Sequence, residues 1–182
     1  LGLGLGLQQL IAMADQFSQL QSRLALAVTS QEQFNRANAE LFEIAQRNRA
    51  PLEETVALYA RLAPSFQAMG RDQGEALAVT DAIGQAIALS GASAAGAAGA
   101  LTQLGQAFAS GVLRGEEFNS VMEATPRVML AIAQGMGVPI GALRKMAEQG
   151  QLTAEVVVNA LLDQRERLAT EYASMQIGRA HV

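Results

Sequence analysis

The sequence predicts an all-α fold, a compact bundle of about eight or nine mostly short helices that opens with a candidate coiled-coil helix. Alternating patterns with β-branched residues are nearly absent, while Ala, Leu, Gln and Glu dominate. Apolar residues recur every three or four positions in one segment after another. Gly and Pro interrupt these segments and exclude one continuous helix, which for 182 residues would span about 270 Å.

The chain divides into three predicted parts. Residues 1–9 are a low-complexity lead in which Leu alternates with Gly, a weak and flexible pattern. Residues 10–177 form the helical domain, which is long enough to bury a substantial core. Residues 178–182 are a frayed end or a cut boundary. Because the chain begins with Leu rather than Met, we expect a fragment or a processed product.

The first helix carries an apolar seam with heptad spacing. Two interpretations are open: a coiled-coil contact between copies of the chain, or an amphipathic helix packed within its own domain. The short length of the seam favours the second interpretation. The candidate self-association seam consists of Leu10, Met13, Phe17, Leu20 and Leu24.

Capping signals place the second and third helices. Ser30 followed by Gln33 forms a capping box, and the helix that it starts should stop near Asn48. Pro51 suits the first turn of the third helix. Pro64 is expected to bend or break that helix, so the residues after it are predicted as a separate turn.

The fourth and fifth helices begin at similar signals. Asp72 with Glu75 caps the fourth helix, which should run to about Ser90. Ser93 caps the fifth helix, which should run to Ser110. Their spacing predicts these inward-facing residues: Leu77, Ile83, Ile87, Leu101, Leu104 and Phe108.

Four shorter signals complete the chain. A short helix follows Gly115, and Thr125 caps a further helix that Pro126 opens. Residues 140–148 form a brief helix, and Thr153 caps a long final helix. The final helix is predicted to face inward with Val157, Leu161, Leu168, Tyr172 and Met175.

Charge is unevenly distributed. Residues 82–113 contain no Asp, Glu, Lys or Arg, a run long enough to span a bilayer. Its Gln residues and many small side chains do not favour a stable membrane span. Charged residues are only 16% of the chain, which favours a surface partly covered by partners or by copies of the chain. The alternative is an Ala-rich helical protein that needs no such cover.

Charge returns abruptly after the uncharged run, where Gly and Pro punctuate a short helix. This stretch is a candidate contact surface or a structural turn that orients two helices. Arg114 is expected to pair with Glu117 or Glu123 of its own chain, or with a partner. The candidate contact turn comprises Arg114, Gly115, Glu116, Glu117, Asn119, Glu123 and Pro126.

The residue inventory argues against catalytic, cofactor and metal sites. The chain has no Cys and one His, His181. Adjacent Glu116 and Glu117 point in different directions on a helix, so they do not make an acid–base pair. Residues 140–162 loosely resemble a helix-turn-helix, but no Lys or Arg precedes Arg165 in the second helix. With a net charge of −4, no specific nucleic-acid binding is expected.

Several blocks resemble the tape measure domain near the N-terminal side of phage and prophage tail tape measure proteins. The clearest are Ser-Gly-Ala-Ser at 90–93, Leu-Thr-Gln-Leu at 101–104, and Leu-Arg-Gly-Glu-Glu at 113–117 followed by Pro126. The resemblance extends over about residues 22–162. Phe118 and Ala124-Thr125 depart from the family pattern, which weakens inferences about individual side-chain contacts.

The resemblance implies a structural role without catalytic residues. Such proteins line the tail tube lumen, set tail length during assembly in the host cytoplasm, and leave when DNA is ejected. The implied partners are copies of the chain in a homo-oligomer, tail tube and tail-tip proteins, and tail assembly chaperones. Two alternatives stay open: a membrane-active segment centred on residues 82–113 that acts during DNA ejection, and a stand-alone helical interaction protein.

Overall fold

A computed structural model describes the backbone of residues 2–180 and the side chains of residues 14–176. Over this part the chain is an all-α fold of nine helices, which confirms the predicted class. The helices are α1 (Gly2–Leu26), α2 (Gln31–Asn48), α3 (Leu52–Ala68), α4 (Gln73–Leu89), α5 (Ala94–Ser110), α6 (Gly115–Ala124), α7 (Pro126–Gly135), α8 (Ile140–Glu148) and α9 (Ala154–Ala180).

Side-chain caps start α2 and α4 where the sequence predicts them. The Gln33 backbone N–H donates to Ser30 Oγ at 3.1 Å, and the Thr29 N–H donates back to Gln33 Oε1 at 3.0 Å. The Glu75 N–H donates to Asp72 Oδ1 at 2.9 Å. These bonds satisfy N–H groups that lack partners within the first helical turn.

The same device starts α5 and α9. The Gly96 N–H donates to Ser93 Oγ at 3.1 Å, and the Val156 N–H donates to Thr153 Oγ1 at 3.3 Å. Gly91 and Gly150 follow the preceding helices with φ of 65° and 69°, a left-handed conformation that costs glycine little. The boundaries of these helices therefore arise from local chemistry.

Pro64 does not break α3, and the residues after it are not a separate turn, so these two predictions are wrong. The helix runs through Pro64 to Ala68, and Ala63 and Phe66 on either side of it are buried. Ser65 Oγ donates to the Phe108 carbonyl oxygen at 3.1 Å, which ties α3 to α5. Pro64 is exposed, where water can solvate the carbonyl left without an N–H donor. Packing against α5 thus outweighs the local penalty.

Helix α4 lies at the centre of the bundle. It packs against α2, α3, α5, α7 and α9, and it buries residues around its whole circumference, among them Leu77, Val79, Ile83 and Ala86. The uncharged run begins in this helix and continues through α5, where Leu101, Leu104 and Phe108 are also buried. Burial in the core accounts for the absence of charge at these positions, while exposed positions of the run, such as Thr102 and Gln106, carry uncharged polar side chains.

Helix α1 lies at the edge of the bundle, against α2 and α3. It begins at Gly2, ahead of the predicted start at Leu10, so its backbone continues through most of the predicted low-complexity lead. Leu24 and Ala27 enter the core. The side chains of Leu10 and Met13 and the whole of His181 lie outside the described residues.

Helices α7 and α9 cross at very close range. A Cβ atom added to Gly135 would lie 2.2 Å from the Ala160 carbonyl oxygen, so no larger residue fits without a backbone shift. Small residues at a crossing let two helix backbones approach in this way. Helix α4 packs against both α7 and α9, so this crossing closes the core on the side where these three helices meet.

Thr125 corrects another prediction. It stands between α6 and α7, but its side chain makes no capping bond to α7. Instead, Thr125 Oγ1 donates to the Val121 carbonyl oxygen at 2.9 Å and is buried. The hydroxyl therefore completes the end of α6, while Pro126 starts α7 with its fixed φ.

Candidate contact surfaces

The contact turn, residues 114–126, is held in place by the residue before it and by the connection between α8 and α9. The Leu113 N–H donates to the Leu152 carbonyl oxygen at 2.8 Å, and the Ala154 N–H donates to the Gly111 carbonyl oxygen at 2.8 Å. These two bonds form an isolated antiparallel bridge between Val112 and Thr153. Since Leu113 and Leu152 are both buried, the start of the turn is fixed to the domain.

The contact turn presents a polar outer side above an apolar inner side. Phe118 and Val121 are buried beneath it. Gly115 and Glu117 are half-buried, and Glu117 Oε2 is enclosed without a hydrogen-bond partner. The exposed members are Arg114, Glu116, Asn119, Glu123 and Pro126. The structure thus brings most of the predicted contact residues to one accessible surface.

Arg114 forms neither of the predicted ion pairs within its own chain. No carboxylate of Glu117 or Glu123 lies within ion-pair distance of it in the described part of the molecule. Arg114 is the N-cap residue of α6 and has an extended backbone, with φ −91° and ψ 173°. Because it precedes the first helical turn, the side-chain spacing that pairs residues three or four apart on a helix does not apply. Its guanidinium remains exposed.

Helix α8 extends this surface, which sequence reasoning missed. The Arg144 guanidinium lies over the Phe118 ring, 5.8 Å from its centre. A Cβ atom on Gly115 would lie 3.7 Å from the side chain of Glu148, so α8 approaches the start of α6 closely. The sequence shows the amphipathic spacing of α8, but it does not show that α8 packs against α6, because that contact depends on the tertiary fold. We call the exposed residues of the contact turn together with Arg144 and Glu148 the α6–α8 surface.

Arg127, directly after the contact turn, anchors α7 to α9. Arg127 Nε donates to Glu171 Oε2 at 2.9 Å, and Nη2 lies 2.8 Å from the same oxygen without hydrogen-bond geometry. Arg167 Nε donates to Glu171 Oε1 at 3.0 Å. Burial raises the pKa of Glu171, but the hydrogen bonds from Arg127 and Arg167 outweigh it, and the pKa is lowered from 4.5. This cluster stabilises the folded domain.

The self-association seam is divided between the core and the surface. Leu24 is 1% exposed and Leu20 is half-buried, so this end packs within the domain, as the favoured interpretation predicts. Phe17 is 59% exposed. The end of the seam at Phe17 therefore has no cover from within the described part of the domain.

Phe17 shares a groove with Phe42, which sequence reasoning did not single out. The groove has a volume of about 210 Å³ and runs between α1, α2 and α3, with Leu52 and Val56 among its walls. Phe42 is 50% exposed. The helical spacing of α2 could have placed an aromatic residue on its outer side. Only the fold shows that this residue lines the same groove as Phe17. We call Phe17, Leu20, Phe42, Leu52 and Val56 the aromatic groove.

Neither a metal cluster nor a straight membrane span appears in the described residues. No group of three or more His, Asp or Glu side chains there is arranged to hold a metal ion. No single helix between residues 2 and 180 is long and apolar enough to cross a membrane. Helices α7 and α8 reach that length and composition only together, and they are bent by 92° at the break between them.

Comparison with known proteins gives one family. A family model described as "Tape measure protein" matches residues 8–180 of the chain. Searches among curated proteins and among solved structures found no match. The matched residues include the contact turn, the aromatic groove and all of the core.

Proposed function

This chain belongs to the tape measure protein family, and on that premise we propose that it is a structural and assembly domain of a phage tail tape measure protein. The observation that carries the proposal is the family match over residues 8–180. The family is structural, and its role in the phage tail is to set tail length. The domain contributes to that role through contacts between helices, without chemistry of its own.

The compact fold supports a position within a longer parent chain. The longest helix, α9, has 27 residues and spans about 40 Å. The nine helices of the described residues, with α4 at the centre of the bundle, do not measure length as a rod does. We therefore place the length-setting segment elsewhere in the parent protein and assign this domain to assembly. Its location is the tail, in the lumen of the tube, after assembly in the host cytoplasm.

The α6–α8 surface is the proposed site for another tail component, such as a tube subunit, a tail-tip protein or an assembly chaperone. Its support is the fixed turn, with charged groups exposed above a buried apolar side. Arg114 makes no ion pair within the described domain, so its guanidinium is available to a partner carboxylate.

The test of this surface is the yield of assembled tails. Arg114→Ala with Glu116→Ala removes one charge of each sign, and we expect tail yield to fall while the isolated domain unfolds at an unchanged temperature. The matched control is Arg165→Ala with Glu166→Ala, an exposed pair on α9. Normal yield with the first pair, or an equal loss with both pairs, would rule out the proposed contact.

The aromatic groove is the proposed contact between copies of the chain. Its support is the exposure of Phe17 and Phe42 together with the heptad spacing of the seam. We expect Phe17→Ser with Phe42→Ser to reduce self-association in sedimentation equilibrium. Leu130→Ser is the control, since Leu130 is 41% exposed on α7, away from the groove. Unchanged association of the double variant would reject this contact.

The whole assignment is tested on the source of the chain. An antibody to this domain is used to blot a lysate fractionated by sedimentation. A band far larger than 19.1 kDa that travels with tail-sized particles supports the proposal. A small band that never enters particles contradicts it and supports the alternative of a stand-alone helical interaction protein.

The membrane-active alternative requires residues 82–113 to leave the core. Ile83, Ile87, Leu101 and Phe108 are all buried, so insertion would first require α4 and α5 to separate from their neighbours. Leakage from liposomes caused by the purified folded domain would favour this alternative over a scaffold.

A further inference from the structure

A cavity of about 270 Å³ lies between the α2–α3 connection, α4, α5 and the C-terminal part of α9. Its walls are mainly apolar, with Ile44, Leu58, Ile87 and Leu101 among them. Tyr172 also lines it, but the Tyr172 hydroxyl already donates to the Arg47 carbonyl oxygen at 2.6 Å. The cavity is therefore mainly apolar, and among the described residues that line it the Asn48 Oδ1 atom is buried without a hydrogen-bond partner.

Arg49 is the charged residue of this cavity among the described residues that line it. Its side chain is exposed and makes no hydrogen bond or ion pair with the described part of the domain. Its backbone φ is 50°, and no other described residue except glycine has a positive φ. At the end of α2 the Arg49 N–H bonds to the carbonyl oxygens of Ala45 and Gln46, a capping role in which glycine is usual.

Arg49 has a backbone conformation that glycine adopts more easily than arginine. A left-handed backbone is strained for a residue with a Cβ atom, and glycine would relieve the strain at this position. Residues in such strained conformations cluster at functional sites. Among the described residues nothing binds the exposed Arg49 guanidinium, so it is free to bind a group from outside the domain.

The neighbouring charges leave this guanidinium uncompensated. Asn48 lines the cavity, is buried, and its Nδ2 donates to Asp81 Oδ1 at 2.8 Å. Arg47 Nη2 lies 2.8 Å from Asp81 Oδ2. The Asp81 carboxylate is therefore paired with Arg47, while Arg49 beside the cavity has no ion-pair partner among the described residues.

We propose that this cavity binds a small amphiphilic carboxylate, with its alkyl chain among the aliphatic walls and its carboxylate on Arg49. Guanidinium binds carboxylate through paired N–H donors. Because a cavity of about 150 Å³ holds benzene, the present volume suits a chain on the order of ten carbon atoms. Such binding goes beyond the structural role in the tail and does not depend on it.

The test is a titration of the purified domain with hexanoate, octanoate and decanoate, and with the corresponding amides, below their micelle concentrations. Binding is followed by NMR shifts of the Arg49 and Leu101 amides and by calorimetry. We expect affinity to rise about fourfold for each added buried methylene until the cavity is full. We expect each carboxylate to bind more tightly than its amide. Absence of binding, or affinity independent of chain length, overturns the proposal.

Two variants separate the cavity from the charge. Ala88→Leu fills the cavity from α4 and should reduce decanoate affinity at least tenfold, while Ala95→Leu, exposed on α5 and outside the lining, should not. If Ala88→Leu unfolds at a lower temperature, Ala92→Leu replaces it, since Ala92 is also half-buried in the lining. Wild-type affinity in the filled variant overturns the cavity assignment.

Arg49→Gly tests the charge without endangering the fold. Relief of the left-handed strain should raise the unfolding temperature, and the preference for carboxylate over amide should disappear. Arg49→Lys should keep part of that preference. A preference that survives in Arg49→Gly overturns the role of Arg49.

Discussion

Helix α1 has the clearer apolar seam, yet α4 is the helix that the core surrounds. The seam of α1 has unbroken heptad spacing, but among its described side chains Leu24 is buried while Phe17 is exposed. Helix α4 has no single apolar stripe and buries residues on every side. Five other helices pack against it, whereas α1 lies mainly against two. An apolar stripe thus indicates a helix face that can be buried, and the tertiary fold decides whether another helix buries it.

The largest expected effect concerns the crossing that closes the core beside α4. Gly135→Ala places a Cβ atom where it would lie 2.2 Å from the Ala160 carbonyl oxygen, so α7 and α9 must separate. We expect the free energy of unfolding to fall by about 4 kcal/mol, measured by urea denaturation. Gly141→Ala on α8 is the matched control, because a Cβ atom there meets nothing within 4 Å.

The control should respond in the opposite direction. Alanine restricts the unfolded chain more than glycine does, so Gly141→Ala should stabilise the domain by about 0.5 to 1 kcal/mol. If both variants lose similar stability, the crossing of α7 and α9 at Gly135 is not as close as described.

A second prediction compares the two ends of the α1 seam directly. Leu24→Ala should cost about 3 kcal/mol, since it removes a buried side chain and leaves a cavity. Phe17→Ala should cost less than about 1 kcal/mol, because Phe17 is 59% exposed in the single domain. Both values come from denaturation at low protein concentration, where self-association does not contribute. Equal losses of unfolding free energy in the two variants would show that Phe17 is buried as Leu24 is.

A smaller effect is expected at the ion cluster between α7 and α9. Glu171→Gln removes the charge that holds Arg127 and should cost about 1 to 2 kcal/mol, because Glu171 is still 34% exposed. Glu166→Gln, exposed on the same helix, is the control and should change stability by less than about 0.5 kcal/mol.

The contribution of Glu171 to stability should depend on pH. The pKa of Glu171 is lower in the folded domain than its ordinary value of 4.5. Its contribution to stability is therefore fully present above about pH 4.5 and is lost as pH falls through the lower, folded-state pKa. The stability difference between wild type and Glu171→Gln should shrink over that acid range. A difference that is constant below pH 4.5 would contradict the role of the charge.

Much of the fold was predictable because its signals are local. Ser30, Asp72, Ser93 and Thr153 cap helices through bonds to residues three positions away, so their action needs no distant partner. The bounds predicted for α8, residues 140–148, also agree with the structure, because Pro139 directly precedes the helix and Gly150 follows it in a left-handed conformation. The inward residues of α4 and α5 followed from helical spacing alone.

The errors share the opposite cause. Pro64 stays within α3 because α5 packs beside it, and Thr125 bonds back to Val121 rather than forward to α7. Arg114 makes no ion pair with Glu117 or Glu123 in the described part of the molecule, although both lie nearby in sequence, and its pairing with a partner stays a prediction. In each case the conformation depends on a contact with another helix, or on a hydrogen bond to a residue on the other side in sequence from the one expected.

The sequence by itself determined the all-α class, the helix starts, the apolar faces and, through its resemblance, the family. Those properties depend on residues within about one helical turn of each other or on the order of motifs along the chain. Only the tertiary structure decided that α4 is central, that Phe17 and Phe42 line one groove, that Arg144 lies over Phe118, and that Arg49 lies beside an apolar cavity. These contacts join residues far apart in sequence, and helical spacing carries no information about which helix lies opposite.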